Sequence, residues 1–366
     1  MYIACNVYAT AMSGLPCQDL TQLTAAQRRT RGYSFALLGA ILVTPDAVCV
    51  RLATSIGGGT FWWTISTKCF LLFVMILSFV AWQHGWRKLP AGIAAGPAHC
   101  ALVVLFQCFV TIGFPTVFQT TTTAKGLLLI SLNPLWAALL GWRVLGDTLP
   151  RRTLIALFGA ALSIGIIFIP PALMPEEGGG TVAIAADGVG NWRGDLIAVG
   201  TGLSLAAMIT SSRYGSQRRP KALMALAAAL GSLVAGLVTF TIACSVSWSE
   251  AALLRPIFWP IMVADAFCIA ACTVLALTFA PRHISPAEVA LVLLLEVALG
   301  PLWVFVAGFE APSTWTLAGG GVLVAVLAAH ELSALREARR VQREAKSIDI
   351  SISSTGEPAS TVFVRP

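Results

Sequence analysis

Hydrophobic residues in this chain are grouped into long, nearly uninterrupted runs. A membrane-spanning helix needs about 20 mostly apolar residues, because it must cross roughly 30 Å of hydrocarbon at about 1.5 Å per residue. Ten runs reach this length, at about 34–54, 60–82, 93–115, 120–145, 152–170, 194–213, 222–244, 257–280, 284–308 and 313–332. The pattern predicts an all-α, multi-pass integral membrane protein with ten transmembrane helices.

Composition agrees with this prediction. Hydrophobic residues make up 57% of the chain and charged residues only 11%, whereas soluble domains carry roughly 25% charged residues. The segments between the runs are too short to hold another folded domain of ordinary size. Any function must therefore lie among the helices.

The basic residues predict an orientation. Arg193 and Arg255 lie in one set of connections, and 17 basic residues lie in the alternate set. Those 17 are Arg28, Arg29, Arg31, Arg87, Lys88, Arg151, Arg152, Arg213, Arg218, Arg219, Lys221, Arg282, Arg336, Arg339, Arg340, Arg343 and Lys346. Because cytoplasmic loops carry the excess of Lys and Arg, both termini are expected in the cytoplasm. This bias accounts for the net charge of +7, so no nucleic-acid partner is predicted. The short tails and the absence of N-x-[ST] sites fit a location in the inner (plasma) membrane.

Two stretches of the chain are versions of each other. The segments 121–147 and 283–310 align at an offset of 163. In that alignment Lys125 falls on Glu288, Asn133 on Glu296, Pro134 on Val297 and Asp147 on Glu310. Each copy lies within a group of five predicted spans. Because five is an odd number, the second group enters the membrane from the opposite side, and the two groups have opposite orientations. The sequence thus predicts two inverted five-helix repeats, an architecture of secondary transporters whose binding site lies near the midplane between the halves.

These features divide the chain into five segments. They are a cytoplasmic N-terminal segment at 1–33, a first five-helix repeat at 34–170, an external linker at 171–193, a second five-helix repeat at 194–332, and a cytoplasmic helical extension with a disordered tail at 333–366.

Ionisable residues inside the predicted spans are the main candidates for function. Each costs about 2.5–3.5 kcal/mol at the centre of a membrane helix, so together they must face the interior of the bundle. Two interpretations stay open: internal ion pairs or gates that hold the helices together, or groups that bind a substrate. The candidates for intramembrane ion pairs or gating are Arg51, Asp265 and Glu288.

Five residues are predicted to bind the substrate or couple its movement to an ion. Glu296, Asn133 and Asp46 lie near the expected midplane. Glu296 suits proton coupling, or alternatively binding of a cationic amine, and Asn133 supplies a polar contact. Lys68 and Lys125 are expected to shape the outer vestibule, where they could attract a substrate carboxylate or neutralise Asp46.

The chain contains none of the catalytic motifs that would indicate an enzyme. It has no G-x-x-x-x-G-K-[ST], no G-x-S-x-G and no H-E-x-x-H, so neither ATP hydrolysis by a P-loop nor another enzymatic activity is predicted. Its nine cysteines form no C-x-x-C and its four histidines are scattered, so no metal or other cofactor is expected. The alternative to a transporter is a membrane receptor or assembly factor that binds a ligand without moving it.

The repeated segment resembles the EamA-type repeat of the drug/metabolite transporter superfamily. The likeness rests on Leu132–Pro134, followed about thirteen residues later by Gly146–Asp147 and then by a helix containing Gly159. The second half is similar at Glu296–Val297 and at Glu310. The resemblance implies a ten-helix inverted-repeat transporter that moves metabolites, amino acids or drugs, often outward, driven by a proton gradient or by exchange.

Some positions depart from the EamA pattern. Asp147 stands for the usual Glu, Val297 for the usual Pro, and Phe309 for the Gly before Glu310. Within the resemblance, Pro134, Asp147 and Glu310 belong to the structural motif of the repeat, where Asp147 and Glu310 cap the following helix. The expected partners are a small-molecule substrate, the lipid bilayer and protons as coupling ion. The sequence leaves the substrate and the oligomeric state open.

Overall fold

The computed structural model describes residues 25–120, 129–147, 151–173, 192–247, 255–308, 314–315, 317–330, 332–333 and 336. These residues are 89% helical and form no strand, which confirms the predicted helical class for this part of the chain. The main helices are α1 Ala25–Val43, α2 Asp46–Ser55, α3 Phe61–His84, α4 Leu89–Ala94, α5 Pro97–Thr120, α6 Asn133–Leu140, α7 Arg151–Leu173, α8 Trp192–Arg218, α9 Met224–Ser247, α10 Phe258–Cys272, α11 Pro286–Leu293, α12 Leu295–Val306 and α13 Leu317–His330.

Six helical stretches are long and apolar enough to cross a membrane. They are Arg28–Ser55, Phe61–His84, Pro97–Val117, Arg193–Arg218, Met224–Val246 and Phe258–Arg282. Shorter apolar helices cover Thr153–Ile166 and Leu317–His330. Of the remaining predicted runs, 152–170 lies on α7 and counts among the shorter apolar helices, while 120–145, 284–308 and 313–332 are interrupted or include residues outside the described ranges. The count of ten therefore stays a prediction.

Three breaks interrupt the predicted spans. The first separates α1 from α2 at Thr44 and Pro45, where the proline has no N–H to continue the hydrogen-bond ladder. A turn precedes Asn133 at the start of α6. A third break lies at Leu294, where tight turns bond Leu294 N to the carbonyl of Leu291 at 3.1 Å.

Helices of the first half pack mainly against helices of the second half. The most extensive contacts join α3 with α9 and α5 with α8, and α1 packs along α10. The helix α6 packs against α8 and α11, while α12 packs against α1 and α2. The two halves of the chain are therefore interleaved.

Polar and apolar side chains are distributed as lipid would require. Asp265 is fully buried, and Lys68 and Glu288 are buried too. By contrast, Phe158 and Val306 are 75% and 76% exposed. A charged interior beneath an apolar exterior is favourable in hydrocarbon, because a charged side chain that faced the lipid would be costly.

Connections rich in Arg and Lys lie at one end of the bundle, called the basic end below. At this end Gly32 lies against His283, and Gly96 lies against Arg219. Arg255, from the other set of connections, packs instead against the loop that follows α2. The basic end comprises the described connections at Arg28–Arg31, Arg87–Lys88, Arg213–Lys221 and Arg282.

Candidate functional site

An intramembrane charge cluster joins three helices. Lys68 of α3 forms ion pairs with Asp46, the first residue of α2, and with Asp265 of α10, whose Oδ2 lies 3.3 Å from the Lys68 Nζ. The side-chain exposures of Lys68, Asp46 and Asp265 are 11%, 19% and 0%. This Asp46–Lys68–Asp265 cluster connects the first and second halves of the chain.

The backbone helps to explain the position of Asp46. The break at Pro45 restarts the helix, so Asp46 lies in the first turn of α2. Backbone N–H groups at a helix N-terminus favour negative charge, which stabilises a carboxylate there. The proline break thus gives the cluster one of its two acids.

The cluster is not fully satisfied. Asp265 is buried, yet within the described part of the chain neither of its carboxylate oxygens has a hydrogen-bond partner. A buried carboxylate normally accepts several hydrogen bonds, because losing water costs it far more than it costs a neutral group. Its 3.3 Å contact with Lys68 therefore leaves acceptor capacity for a further donor.

Glu296 lies within electrostatic range of this cluster. It occupies the first turn of α12, is partly buried, and is acted on electrostatically by Asp46 and Lys68. Trp303 follows two helical turns later, and its indole Nε1–H donates to Thr44 Oγ1 at 2.8 Å. Because seven residues complete almost two turns, Glu296 and Trp303 share a face of α12, turned toward the junction of α1 and α2.

The other predicted substrate residues are placed differently. Asn133 is buried at the start of α6, and its Oδ1 has no hydrogen-bond partner among the described residues. Since α6 packs chiefly against α8 and α11, the described contacts do not bring Asn133 beside Lys68.

Arg51 is partly buried on α2. Lys125 and Glu310 lie outside the described residues, and Pro134 is buried within the first turn of α6.

A second polar network lies at the basic end and is centred on Glu288. Its Oε1 accepts a hydrogen bond from the Tyr33 hydroxyl at 2.7 Å and contacts Arg29 at 3.4 Å. Its Oε2 accepts from the Ser285 backbone N–H at 2.9 Å, and the Ser285 hydroxyl accepts from the Glu288 N–H. This capping box fixes the start of α11, while Tyr33 and Arg29 attach α1 to it.

Arg213 extends the network to Asp147, at the end of the segment 121–147. Its guanidinium lies 3.0 Å from Asp147 Oδ2 and 3.1 Å from Oδ1, and it donates to the carbonyl of Ile284 at 2.9 Å. Among the described residues, the side chain of Asp147 therefore pairs with Arg213 of α8. One arginine thus ties α8 to the turn after α6 and to the turn before α11.

Tyr33 and Arg213 are not among the site residues predicted from the sequence. A tyrosine or an arginine near the end of a predicted span is common in membrane proteins, so neither stands out. Ser285 and Glu288, however, have the S-x-x-E spacing of a capping box, which a reading of helix starts would have detected.

The two networks lie at different levels. Tyr33 and Asp46 are 13 residues apart along α1 and α2, which corresponds to roughly 20 Å of helix. One network therefore closes the basic end, and the other lies deeper between the halves. Within the described ranges, no group of three or more His, Cys, Asp or Glu residues could hold a metal ion.

Comparisons with known proteins identify the fold without naming a function. No family model matches the sequence, and no curated protein matches it. Among the solved structures, one described only as the crystal structure of a protein is 17% identical, with a TM-score of 0.60. The match covers 84% of this chain and 99% of the other. The chain therefore shares the fold of that protein over 84% of its own length.

Proposed function

We propose that this chain is a secondary active transporter of small metabolites, amino acids or drugs that works by alternating access. The observation that carries the proposal is the Asp46–Lys68–Asp265 cluster, buried where helices of the two halves meet. Charges inside membrane helices are costly and mark substrate or ion pathways. A cluster held by both halves can be broken and re-formed when the halves move.

The packing supports two inverted five-helix repeats. If a twofold axis exchanges the halves, the contact of α1 with α10 becomes that of α8 with α5, and α3 with α9 maps onto itself. All three contacts are present and extensive. In such transporters the binding site lies at the interface of the repeats, near the bilayer midplane.

Matched backbone features support the same repeats. The turn before Asn133 and the break at Leu294 fall within two residues of the offset of 163 that aligns the copies. Left-handed glycines end both copies, Gly146 with φ of 71° and Gly308 with φ of 77°. Broken helices in equivalent positions are typical of transporters whose freed backbone groups line a cavity.

The network at the basic end supports a gate. Tyr33 and Arg29 of α1 reach Glu288, and Arg213 of α8 reaches Asp147. With both termini cytoplasmic, as the arginine distribution predicts, the proposed gate faces the cytoplasm, and the contacts assigned to it are formed in the structure. Opening it requires the α1–α11 and α8–α6 contacts to separate.

Glu296 is the proposed coupling group. It lies within electrostatic range of Asp46 and Lys68 on an interrupted helix, so gain or loss of its proton alters the charge that a substrate meets. Proton coupling and export, together with the inner-membrane location and membership of the EamA-type family, belong to this proposal.

Counterflow in proteoliposomes tests the proposal. Purified protein is first screened by thermal shift against amino acids, nucleosides and cationic drugs across pH. A stabilising solute is then loaded inside proteoliposomes, and uptake of its labelled form is followed. A transporter accumulates label transiently above equilibrium. Saturable binding without accumulation would instead favour the receptor or assembly factor.

A further inference from the structure

Carboxylates outnumber cations around the charge cluster. Among the described residues, Asp46 and Asp265 both pair with the ammonium group of Lys68, and Glu296 lies within electrostatic range of Asp46 and Lys68. The electrostatic balance of this site therefore favours an added positive charge over an added negative one.

The unfilled hydrogen-bonding capacity of Asp265 also favours a cationic ligand. Asp265 is completely buried, and apart from its 3.3 Å ion pair with Lys68 neither carboxylate oxygen accepts a hydrogen bond from the described residues. An ionised carboxylate only accepts hydrogen bonds. The group that completes this site must therefore donate N–H or O–H, and an ammonium group supplies both the donors and the charge.

An aromatic surface extends from the acids. Trp303 lies two turns beyond Glu296 on the same face of α12, and its indole is oriented by the bond to Thr44 Oγ1. The side chain is 46% exposed, so part of its ring is open to a neighbouring molecule. Indole faces attract cations and accommodate apolar groups. A ligand with an amine at one end and an apolar body fits this arrangement.

We propose that the Asp46–Lys68–Asp265 cluster, together with Glu296 and Trp303, binds an organic amine in its cationic form. The ammonium group of the ligand replaces Lys68 as the partner of Asp265, and the apolar body lies toward Trp303. In this structure the ammonium group of Lys68 thus occupies the position that the ammonium group of the substrate would take. This inference rests on the proposed transport function and specifies its substrate class.

Three matched probes test the charge preference. Phenylethylamine, phenylethanol and phenylacetate have similar size and differ in the charge of one end group. Calorimetry on the purified full-length protein is expected to give at least tenfold tighter binding for phenylethylamine than for the other two. Tightest binding of phenylacetate, or equal binding of all three, would overturn the inference.

Substitutions locate the binding site. Asp265→Asn keeps the shape of the side chain and removes its charge, so affinity for phenylethylamine is expected to fall at least tenfold. Asp195→Asn, in the first turn of α8 and outside the cluster, is the matched control and is expected to leave affinity unchanged. Equal effects of the two substitutions would contradict the assignment.

Lys68→Met distinguishes the two possible roles of the lysine, because one role predicts tighter ligand binding in the variant and the other predicts weaker binding. If Lys68 competes with an amine for Asp265, its removal is expected to strengthen phenylethylamine binding severalfold. If Lys68 itself binds a substrate carboxylate, its removal abolishes binding of phenylacetate. Should the variant fail to fold, the probe series on the unaltered protein still decides.

The failure of this inference differs from the failure of the transport proposal. Amine binding without counterflow would retain the binding site and reject transport. Counterflow of a neutral or anionic solute, with no affinity for phenylethylamine, would retain transport and reject the amine site.

Discussion

The Nζ of Lys68 lies 3.3 Å from the Oδ2 of Asp265, so one ion pair joins the second predicted span of the first half to the third span of the second half. Because Asp265 is inaccessible, the pair can exchange its partner only if the helices α3 and α10 shift. Any movement of one half relative to the other therefore acts directly on this contact.

Glu296→Gln is expected to abolish the dependence of transport on the proton gradient. The amide keeps the size of the side chain but cannot carry or release a proton. The measurement is internal pH in proteoliposomes containing pyranine, recorded with and without the transported solute. Glu296→Asp, which keeps a carboxyl group, serves as the control and retains partial coupling. Unchanged pH dependence in Glu296→Gln would reject this role.

Tyr33→Phe is expected to loosen the basic end. The substitution removes the 2.7 Å hydrogen bond to Glu288 and keeps the aromatic ring. Loss of a hydrogen bond to a charged group is worth about 1.5–3 kcal/mol, so the open state becomes at least several times more populated. Hydrogen exchange of the amides in α11 reports this change. Exchange equal to that of the unaltered protein would show that Tyr33 does not hold the gate.

Arg213 and Asp147 are expected to be energetically coupled. Each side chain keeps some exposure, 16% and 23%, so breaking the pair in Arg213→Gln should cost about 2 kcal/mol, less than a fully buried pair. Asp147→Asn should add little further loss in the double variant. Thermal unfolding of the two single variants and the double variant measures the coupling. Additive losses would indicate that the two residues act independently.

The helical class could be predicted from sequence because it depends only on the order of apolar and charged residues along the chain. Long apolar runs and sparse charges define spanning helices. The pattern does not specify where such a helix breaks. The interruption at Pro45 has a recognisable residue, whereas the break at Leu294 lies in an apolar stretch without proline or glycine. There the backbone follows tertiary packing, which local preference does not reveal.

The candidate site could be predicted only in part. Charged residues within spans stand out, so Asp46, Lys68, Asp265 and Glu296 were identifiable from sequence. Their pairing was not, because residues 46 and 265 are brought together only by the interleaving of the two halves. Tyr33 gave no signal at all, since a tyrosine near a span end also fits an interfacial aromatic belt.

His283 is expected to make the protein less stable in mild acid. It lies outside the spans and packs against Phe35, with ring centroids 6.1 Å apart. Burial, followed by repulsion from Arg282 and Arg31, lowers the pKa of His283 from 6.5 to about 4. Between these values the unfolded chain binds the proton and the folded chain does not, so stability falls as pH falls from about 6.5 to about 4.

His283→Gln should reduce this acid sensitivity, because glutamine has no proton to gain. The measurement is the difference in Tm between pH 7 and pH 5 in detergent, which is expected to be smaller in the variant than in the unaltered protein. An equal difference in the two proteins would assign the acid sensitivity to other groups.

Gly231→Ala is expected to destabilise the contact between α5 and α9, and Gly200→Ala is the matched control. A Cβ at Gly231 would lie 2.7 Å from the Cβ of Gln107 and 2.7 Å from the carbonyl oxygen of Val104. The helices must therefore separate, at a cost of about 1–3 kcal/mol. At Gly200 no atom lies within 4 Å, so alanine should stabilise the helix by about 0.5–1 kcal/mol. Thermal unfolding is expected to shift in opposite directions, and shifts of the same sign would mean that the α5–α9 contact tolerates a wider spacing.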